Sequence, residues 1–309
     1  MSLNNEFRSD VEKGLKDSPK RLSSKYFYDD EGSRIFQEIM EMPEYYLTNA
    51  ELEILTDQSK NIVDALNFGQ QFSVIELGAG DGSKTFELLS YMLSKNLGVF
   101  YRPVDISAEA IHLLEKDLKD RLPSLTIQPL IGDYFKVLSE LPIRRKPALF
   151  LFLGSNIGNY EQESAIKLMQ KFGSFLQKGD KMLVGFDIVK NPRKILAAYD
   201  DSQGITRKFN LNLLHRINRE LQMDFDVEKF DFYPYYNPNN GEVRSCLVSL
   251  EEQNVNGFSF AKNELIHTEL SKKYSLEEIE MMATKSGYKL IENFLDSEEL
   301  FADSLWEKL

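Results

Sequence analysis

Ser73-Val-Ile-Glu-Leu-Gly-Ala-Gly-Asp-Gly-Ser-Lys84 joins an apolar run to three glycines spaced by single residues, and a helical pattern follows over 85–93. Apolar residues bounded by glycine predict a buried strand, a tight turn and then a helix. Gly78, Gly80 and Gly82 place no side chain between the backbone and whatever lies against it. The helix after them turns free N–H groups and the positive end of its dipole to the same place. The stretch therefore reads as a ligand cradle. A tight turn alone would also explain the glycines, so the flanking chain has to decide.

Working outward, strands alternate with helices from 72 to 188. Strands are expected at 72–77, 98–104, 126–130, 148–153 and 181–186, with helices at 84–95, 108–121, 134–140 and 162–176. Repeated strand–helix units predict a parallel sheet covered on both faces, with the ligand across the carboxyl ends of its strands. The informative residues fall at those ends. Asp105 closes the second strand, about 25 residues beyond the glycine turn, where an acid can bind both hydroxyls of a ribose. Asp133, in Gly132-Asp-Tyr-Phe135, follows the third strand with aromatics beside it, which suits a ring needing one acceptor and apolar faces. The fourth strand runs into Gly154-Ser-Asn-Ile-Gly-Asn159. Either acid alone would serve as a helix cap. Four loops at one sheet edge with matching chemistry make a nucleotide site the stronger reading.

The totals narrow the class. At 309 residues, 42% of them hydrophobic, the chain suffices for about two domains. No apolar run reaches the ~18 residues that span a bilayer. The polar N-terminus, MSLNNEFRSDVEKGLKDSPK, lacks a secretory core, and the single Cys246 rules out an internal disulfide. Both point to the cytoplasm. Cys246 lies in an alternating stretch, where a packed thiol is expected. A net charge of −12 argues against nucleic-acid and anionic-membrane surfaces. Three separated histidines and one cysteine offer no metal-ligand spacing, so no metal is expected.

Residues 1–60 show helical patterns, one of them at 33–40, and no strand run. Two aromatic clusters, Lys25-Tyr-Phe-Tyr28 and Pro43-Glu-Tyr-Tyr46, stand before the ligand-type turn. Residues 189–270 break the strand–helix rhythm. Helices are expected at 193–199 and 206–221, then the aromatic run Phe230-Asp-Phe-Tyr-Pro-Tyr-Tyr236, then alternating strands at 243–250 and 258–268. A helix at 276–286 and strands at 289–295 and 300–306 close the chain, the last two as a hairpin at the sheet edge.

The dinucleotide fingerprint wants its third glycine three residues after the second, and Gly82 comes two after Gly80. That ranks a nicotinamide oxidoreductase last. Glycine spacing, Glu76 inside the strand and an antiparallel closing strand fit an S-adenosylmethionine methyltransferase. The motifs then become specific. Lys25-Tyr-Phe-Tyr-Asp-Asp-Glu-Gly-Ser33, Pro43-Glu-Tyr-Tyr46, Glu76-Leu-Gly-Ala-Gly80, Phe152-Leu-Gly-Ser-Asn-Ile-Gly-Asn159, Tyr199-Asp-Asp-Ser-Gln-Gly-Ile-Thr206, Phe209-Asn, Asn218-Arg-Glu-Leu and Thr268-Glu-Leu-Ser271 occur in that order. Over about 20–309 the chain resembles the histidine-specific methyltransferases, the L-histidine Nα-methyltransferases of ergothioneine biosynthesis.

The resemblance implies an α/β fold of class I (Rossmann-like), with a seven-stranded, mostly parallel sheet and an inserted mixed α+β substrate-binding domain. The cofactor domain would be 60–188 plus 272–309, and the substrate domain 1–59 plus 189–271. It implies S-adenosyl-L-methionine as cofactor, bound by Gly78, Gly80, Lys84, Asp105, Asp133 and Tyr134, with Tyr28 closing over it. Asn159 and Tyr199 would grip the amino-acid carboxylate and amine. Tyr45, Thr206, Glu269 and Ser271 would surround the imidazole. Tyr28 and Asn159 are the expected catalytic residues. Glu269 and Ser271 share one strand face, since side chains alternate, and an acceptor beside a donor matches an imidazole edge. A small-molecule amino acid is the expected partner and a monomer the expected state. One departure stands at Arg244-Ser-Cys246, where family members place an apolar methionine against the ring. Two alternatives remain: an N-methyltransferase for another amino acid of tryptophan type, and a catalytically silent cofactor-binding protein.

Overall fold

The computed structural model describes residues 3–80, 82–141 and 144–309. The chain divides into two compact units, one of Leu47–Val189 with Lys273–Leu309, the other of residues up to Tyr46 with Lys190–Lys272.

The first unit is built on a sheet of eight strands among the described residues. In chain order these are β1 (Gln71–Leu77), β2 (Gly98–Asp105), β3 (Thr126–Ile127), β4 (Leu130–Ile131), β5 (Ala148–Phe152), β6 (Lys181–Asp187), β7 (Tyr288–Leu295) and β8 (Phe301–Lys308). Their spatial order is β7-β8-β6-β5-β1-β2-β3, with β4 also on β2. β1 pairs in parallel with both β2 and β5, and β8 runs antiparallel between β6 and β7. The chain leaves β1 in one direction for β2 and in the other for β5, so the switch point lies at the carboxyl end of β1. Ligands of such sheets bind there. Every residue of β5 and β6 is buried, as continuous apolar strands covered on both faces require. Helix Gln162–Gly173 covers one face with Ala165, Leu168, Met169 and Phe172, spaced by three and four.

The expected third strand, 126–130, forms as the two short pieces β3 and β4. Pro129 stands between them and has no N–H to donate to β2, so the ladder breaks there. This turns the seven expected strands into eight segments.

The second unit pairs helices with a four-stranded sheet in the order Lys20–Arg21, Leu265–Lys272, Glu242–Ser249, Phe230–Asn237. The N-terminal segment, expected to hold no strand, lends Lys20–Arg21 in parallel to Ile266 and His267. The aromatic run is itself a strand, and 258–268 is interrupted, giving Phe258–Phe260 and Leu265–Lys272. Helix Ile205–Leu221 contributes Phe209, Leu213, Leu214 and Ile217 to a core shared with Phe27, Ile35, Leu247 and Ile266.

The domain boundary differs from the expected one. Residues 47–59 fall in the sheet-bearing unit rather than with the insert. Their helix, Tyr46–Asp57, buries Glu51 completely against the backbone of Gly154 and the side chain of Lys84. Such a long-range ion pair leaves no trace in local patterning.

Candidate active site

Two groups of the expected residues are organised, each inside its own unit. In the sheet-bearing unit, Gly78, Gly80 and Gly82 all have positive φ, +73°, +54° and +69°. L-residues with a Cβ avoid this region, which explains the glycines. The Gly78 N–H donates to Val104 O at 2.8 Å and thereby ties the turn to the end of β2. A Cβ on Gly78 would lie 2.8 Å from Tyr134 Oη, whereas one on Gly80 would meet nothing within 4 Å. Gly80 thus forms an open, side-chain-free lip. Its N–H donates to Asp105 Oδ2 at 3.2 Å, and Asp105 Oδ1 accepts from Ser107 N–H at 2.9 Å.

Asp133 caps helix Tyr134–Glu140, with Oδ1 accepting from Phe135 and Lys136 N–H. The neighbouring Tyr134 is half-buried, and burial, with Asp105 as the next cause, pushes its phenol up to about 12. It is therefore a neutral hydroxyl over the glycine turn. Lys84 precedes helix Thr85–Ser94 and ion-pairs with Glu51. Burial works against its charge, but Glu51 prevails and holds the ammonium above its usual range. Asn159 is exposed at the end of the turn Asn156–Asn159, beyond β5. That turn is held by the Tyr274 hydroxyl, which donates to Ile157 O at 3.3 Å, and by Ser155 Oγ, which accepts from Asp187 N–H at 3.1 Å.

In the other unit, Tyr199 Oη and Ser271 Oγ share a buried hydrogen bond of 2.8 Å. The Tyr28 ring is 49% exposed and meets Phe36 and Phe209 edge-on at centroid distances of 5.4 and 5.7 Å. The Glu269 carboxylate and Tyr199 lie within electrostatic range of the Tyr28 hydroxyl. Burial first, then these two groups, hold the phenol well above the ordinary tyrosine range. Phe36 also contacts Tyr45, at 6.3 Å. Thr206 is buried in the first turn of helix Ile205–Leu221, and its N–H donates to Asp201 Oδ1 at 2.8 Å. Asn210 Nδ2 donates to Thr206 O, and Thr268 Oγ1 donates to Asn210 Oδ1 at 3.0 Å, so this helix is pinned to the strand just before Glu269.

Strand register clarifies the Arg244-Ser-Cys246 departure. Ser245 pairs with Glu269 and Val243 with Ser271, whereas Arg244 pairs with Leu270 and Cys246 with His267. Directly opposed residues share a face, so Ser245 stands on the Glu269 face while Arg244 and Cys246 stand on the other. Cys246 is a packed thiol, fully buried, 3.4 Å from His267 Nδ1.

Sequence reasoning did not find Glu51, Asp303, Ser245 or Tyr274. Glu51 and Asp303 are fully buried acids. An acid at an apolar position of a helix or strand pattern was the one available signal.

Known proteins bear directly on this arrangement. The family described as histidine-specific methyltransferase, SAM-dependent, matches residues 7–308. The chain belongs to this family. It is 33% identical over 289 residues to the histidine N-alpha-methyltransferase of Mycolicibacterium smegmatis, covering 91% of this chain and 88% of that protein. It is 32% identical over 307 residues to the histidine N-alpha-methyltransferase of Mycobacterium tuberculosis, covering 97% and 94%. The crystal structure of LaPhzM superposes with a TM-score of 0.50 at 13% identity, over 99% of this chain and 70% of that one, a likeness of fold. The cofactor is S-adenosylmethionine, and the open lip at Gly80 together with the acids at the end of β2 and after β4 fits it. Among the described residues no helix is long and apolar enough to cross a membrane.

Proposed function

We propose that this chain is an L-histidine Nα-methyltransferase that adds three methyl groups in turn to the α-amino nitrogen, giving hercynine. Gly78, Gly80, Lys84, Asp105, Asp133 and Tyr134 would hold S-adenosylmethionine. Tyr45, Asn159, Tyr199, Thr206, Glu269 and Ser271 would hold histidine, and Tyr28 would serve both. The sheet-bearing unit is then the cofactor domain and the other the substrate domain. The enzyme acts on a small amino acid as a cytoplasmic monomer, without nucleic-acid or membrane partners.

One observation carries the choice of histidine. Glu269 and Ser271 share a strand face, Glu269 stands in the electrostatic range of Tyr28, and Ser271 is bonded to Tyr199. A carboxylate and a hydroxyl two residues apart offer an acceptor and a donor to an imidazole, among aromatic walls.

The cofactor supplies a methyl group already activated on a sulfonium. What remains for the protein is to hold a neutral amine in line with that carbon. An α-amino group, whose pKa is ~8 in peptides, must give up its proton before each transfer. In the free chain burial and the nearby Glu269 charge oppose a phenolate at Tyr28. Tyr28 therefore orients the nitrogen as a neutral hydroxyl. Asn159, exposed beyond β5, can add an amide contact without acting as a base.

The test is incubation with S-adenosylmethionine and a pool of amino acids, read by mass spectrometry. Histidine carrying one, two and three added methyl groups is expected. Methylation of tryptophan or a related amino acid with histidine untouched would overturn the substrate. Methylation of nothing in the pool would make this a silent cofactor-binding protein.

A further inference from the structure

Asp303 is a buried acid left without a partner in the sheet-bearing unit, where Arg102 also keeps buried nitrogens unpaired. Asp303 lies mid-strand in β8, is 0% exposed, and neither carboxyl oxygen has a hydrogen-bond partner among the described residues. In folded proteins most buried polar groups are hydrogen-bonded, and leaving one orphaned costs about 1–3 kcal/mol. The register pairs Asp303 with Gly185 of β6, and a Cβ on Gly185 would lie 2.3 Å from Glu51 Oε1. The absent side chain of Gly185 is the space that Glu51 enters, so both carboxyls occupy one pocket under the carboxyl edge of the sheet.

Each oxygen of Glu51 already has a donor. Its Oε1 accepts from Gly154 N–H at 2.7 Å and its Oε2 from the Lys84 ammonium. Two buried carboxyls thus share one cation. The other charged groups around the pocket are already committed. Glu76 of β1 accepts from Thr85 Oγ1 and Tyr101 Oη, and Asp187 at the end of β6 is matched by Lys273 at 2.7 Å. Burial first, and Glu51 next, drive the Asp303 carboxyl far above its usual range, with Lys84 opposing, so it enters the fold as a neutral acid. That acid has a proton to donate and no acceptor.

The Lys84 side chain remains 26% exposed, whereas Glu51 is 1% exposed, so the ammonium bridges the rim of the sheet and the pocket beneath. On the reading above, Lys84 receives the carboxylate of the cofactor's amino-acid half. An anion drawing on that ammonium would leave Glu51 a buried carboxylate short of its counter-charge. We propose that Asp303 is a positioning residue whose acid proton takes the place of Lys84 at Glu51 when Lys84 turns to the cofactor carboxylate. No proton enters or leaves the protein in this exchange. The O–H of Asp303, idle before binding, becomes the donor to Glu51, and the ammonium is released to the ligand.

The inference rests on the assignment of Lys84, and the experiment separates the two. Binding of S-adenosylhomocysteine and of 5′-methylthioadenosine, which lacks the amino-acid half, is measured by calorimetry for the full chain and for Asp303→Leu and Asp303→Asn. Asp303→Leu removes the donor and should weaken S-adenosylhomocysteine at least about tenfold while leaving methylthioadenosine unchanged. Its fold should be as stable as the parent or more so, because an unsatisfied buried acid has gone. Asp303→Asn keeps an N–H donor and should bind S-adenosylhomocysteine within about threefold of the parent. For the parent, affinity for S-adenosylhomocysteine should fall at alkaline pH as Asp303 gives up its proton. Asp303→Asn should lose that component of the profile even if Asp303→Leu does not fold. Equal weakening of both ligands, or a parent-like alkaline fall in Asp303→Asn, would overturn the proposal. If the parent binds S-adenosylhomocysteine no more tightly than methylthioadenosine, the assignment of Lys84 to the cofactor carboxylate fails, and this proposal with it.

Discussion

Replacing Gly78 and Gly80 by alanine, one at a time, separates backbone strain from ligand contact. Both glycines have φ in the left-handed region, +73° and +54°, where an L-residue costs about 1–2 kcal/mol. Gly78→Ala adds a clash, since its Cβ would sit 2.8 Å from Tyr134 Oη, and Gly80→Ala adds none within the protein. In urea unfolding Gly80→Ala should therefore lose about 1–2 kcal/mol and Gly78→Ala distinctly more. Adding Tyr134→Phe to Gly78→Ala removes the clashing oxygen and should return the excess but not the strain. Calorimetry with S-adenosylhomocysteine then reads the contact. If the cofactor lies on this turn as proposed, the new methyl at either position takes space it needs, and a loss of ~1.4 kcal/mol, tenfold in affinity, is the least expected. If Gly80→Ala is destabilised as calculated yet binds S-adenosylhomocysteine like the parent, the ligand does not lie on this backbone, and the reading of the turn is wrong.

Glu269→Ala should weaken histidine at least about tenfold, the worth of a hydrogen bond to a charged group, and leave S-adenosylhomocysteine binding intact; equal loss of both would show that the division of residues is mistaken. A double-mutant cycle of Tyr199→Phe and Ser271→Ala in urea unfolding should return a coupling of about 0.5–1.5 kcal/mol for their 2.8 Å bond, and additive effects would deny that bond. Burial raises the Glu76 carboxyl to about 7, against the opposing hydrogen bonds from Thr85 and Tyr101. Its contribution to stability is then fully present below the ordinary carboxyl pKa of about 4.3 and is lost as pH rises to about 7. Glu76→Gln should flatten that decline in the urea midpoint, and an unchanged slope would place the titration elsewhere.

The glycine turn and the acids at the strand ends were legible in the chain because their geometry is local. A glycine turn between a strand and a helix needs positive φ within a few residues, and Gly78, Gly80 and Gly82 adopt it. Asp105 ends its strand and Asp133 comes shortly after its own, at positions that strand–helix alternation alone locates. Glu269 and Ser271 could be placed on one face because strand alternation is also a local rule, although a bulge between His267 and Glu269 resets which residues oppose them. What stayed hidden was set by pairing across long separations. That Ser245 rather than Arg244 stands on the Glu269 face follows from register with a strand some two dozen residues away. The break of the third strand at Pro129 was readable in principle, since a missing N–H is written in the sequence.

The sequence by itself determined the turn, the acids at the strand ends and the kinship, because each depends on residue types at short and constant spacing. Only the tertiary structure decided that Glu51, Lys84 and Asp303 meet in one pocket, and that residues 47–59 belong with the sheet. The physical reason is that helix Tyr46–Asp57 and strand Phe301–Lys308 are some 250 residues apart in the chain. A buried charge finds its partner by packing, and no local period records which distant side chain that will be.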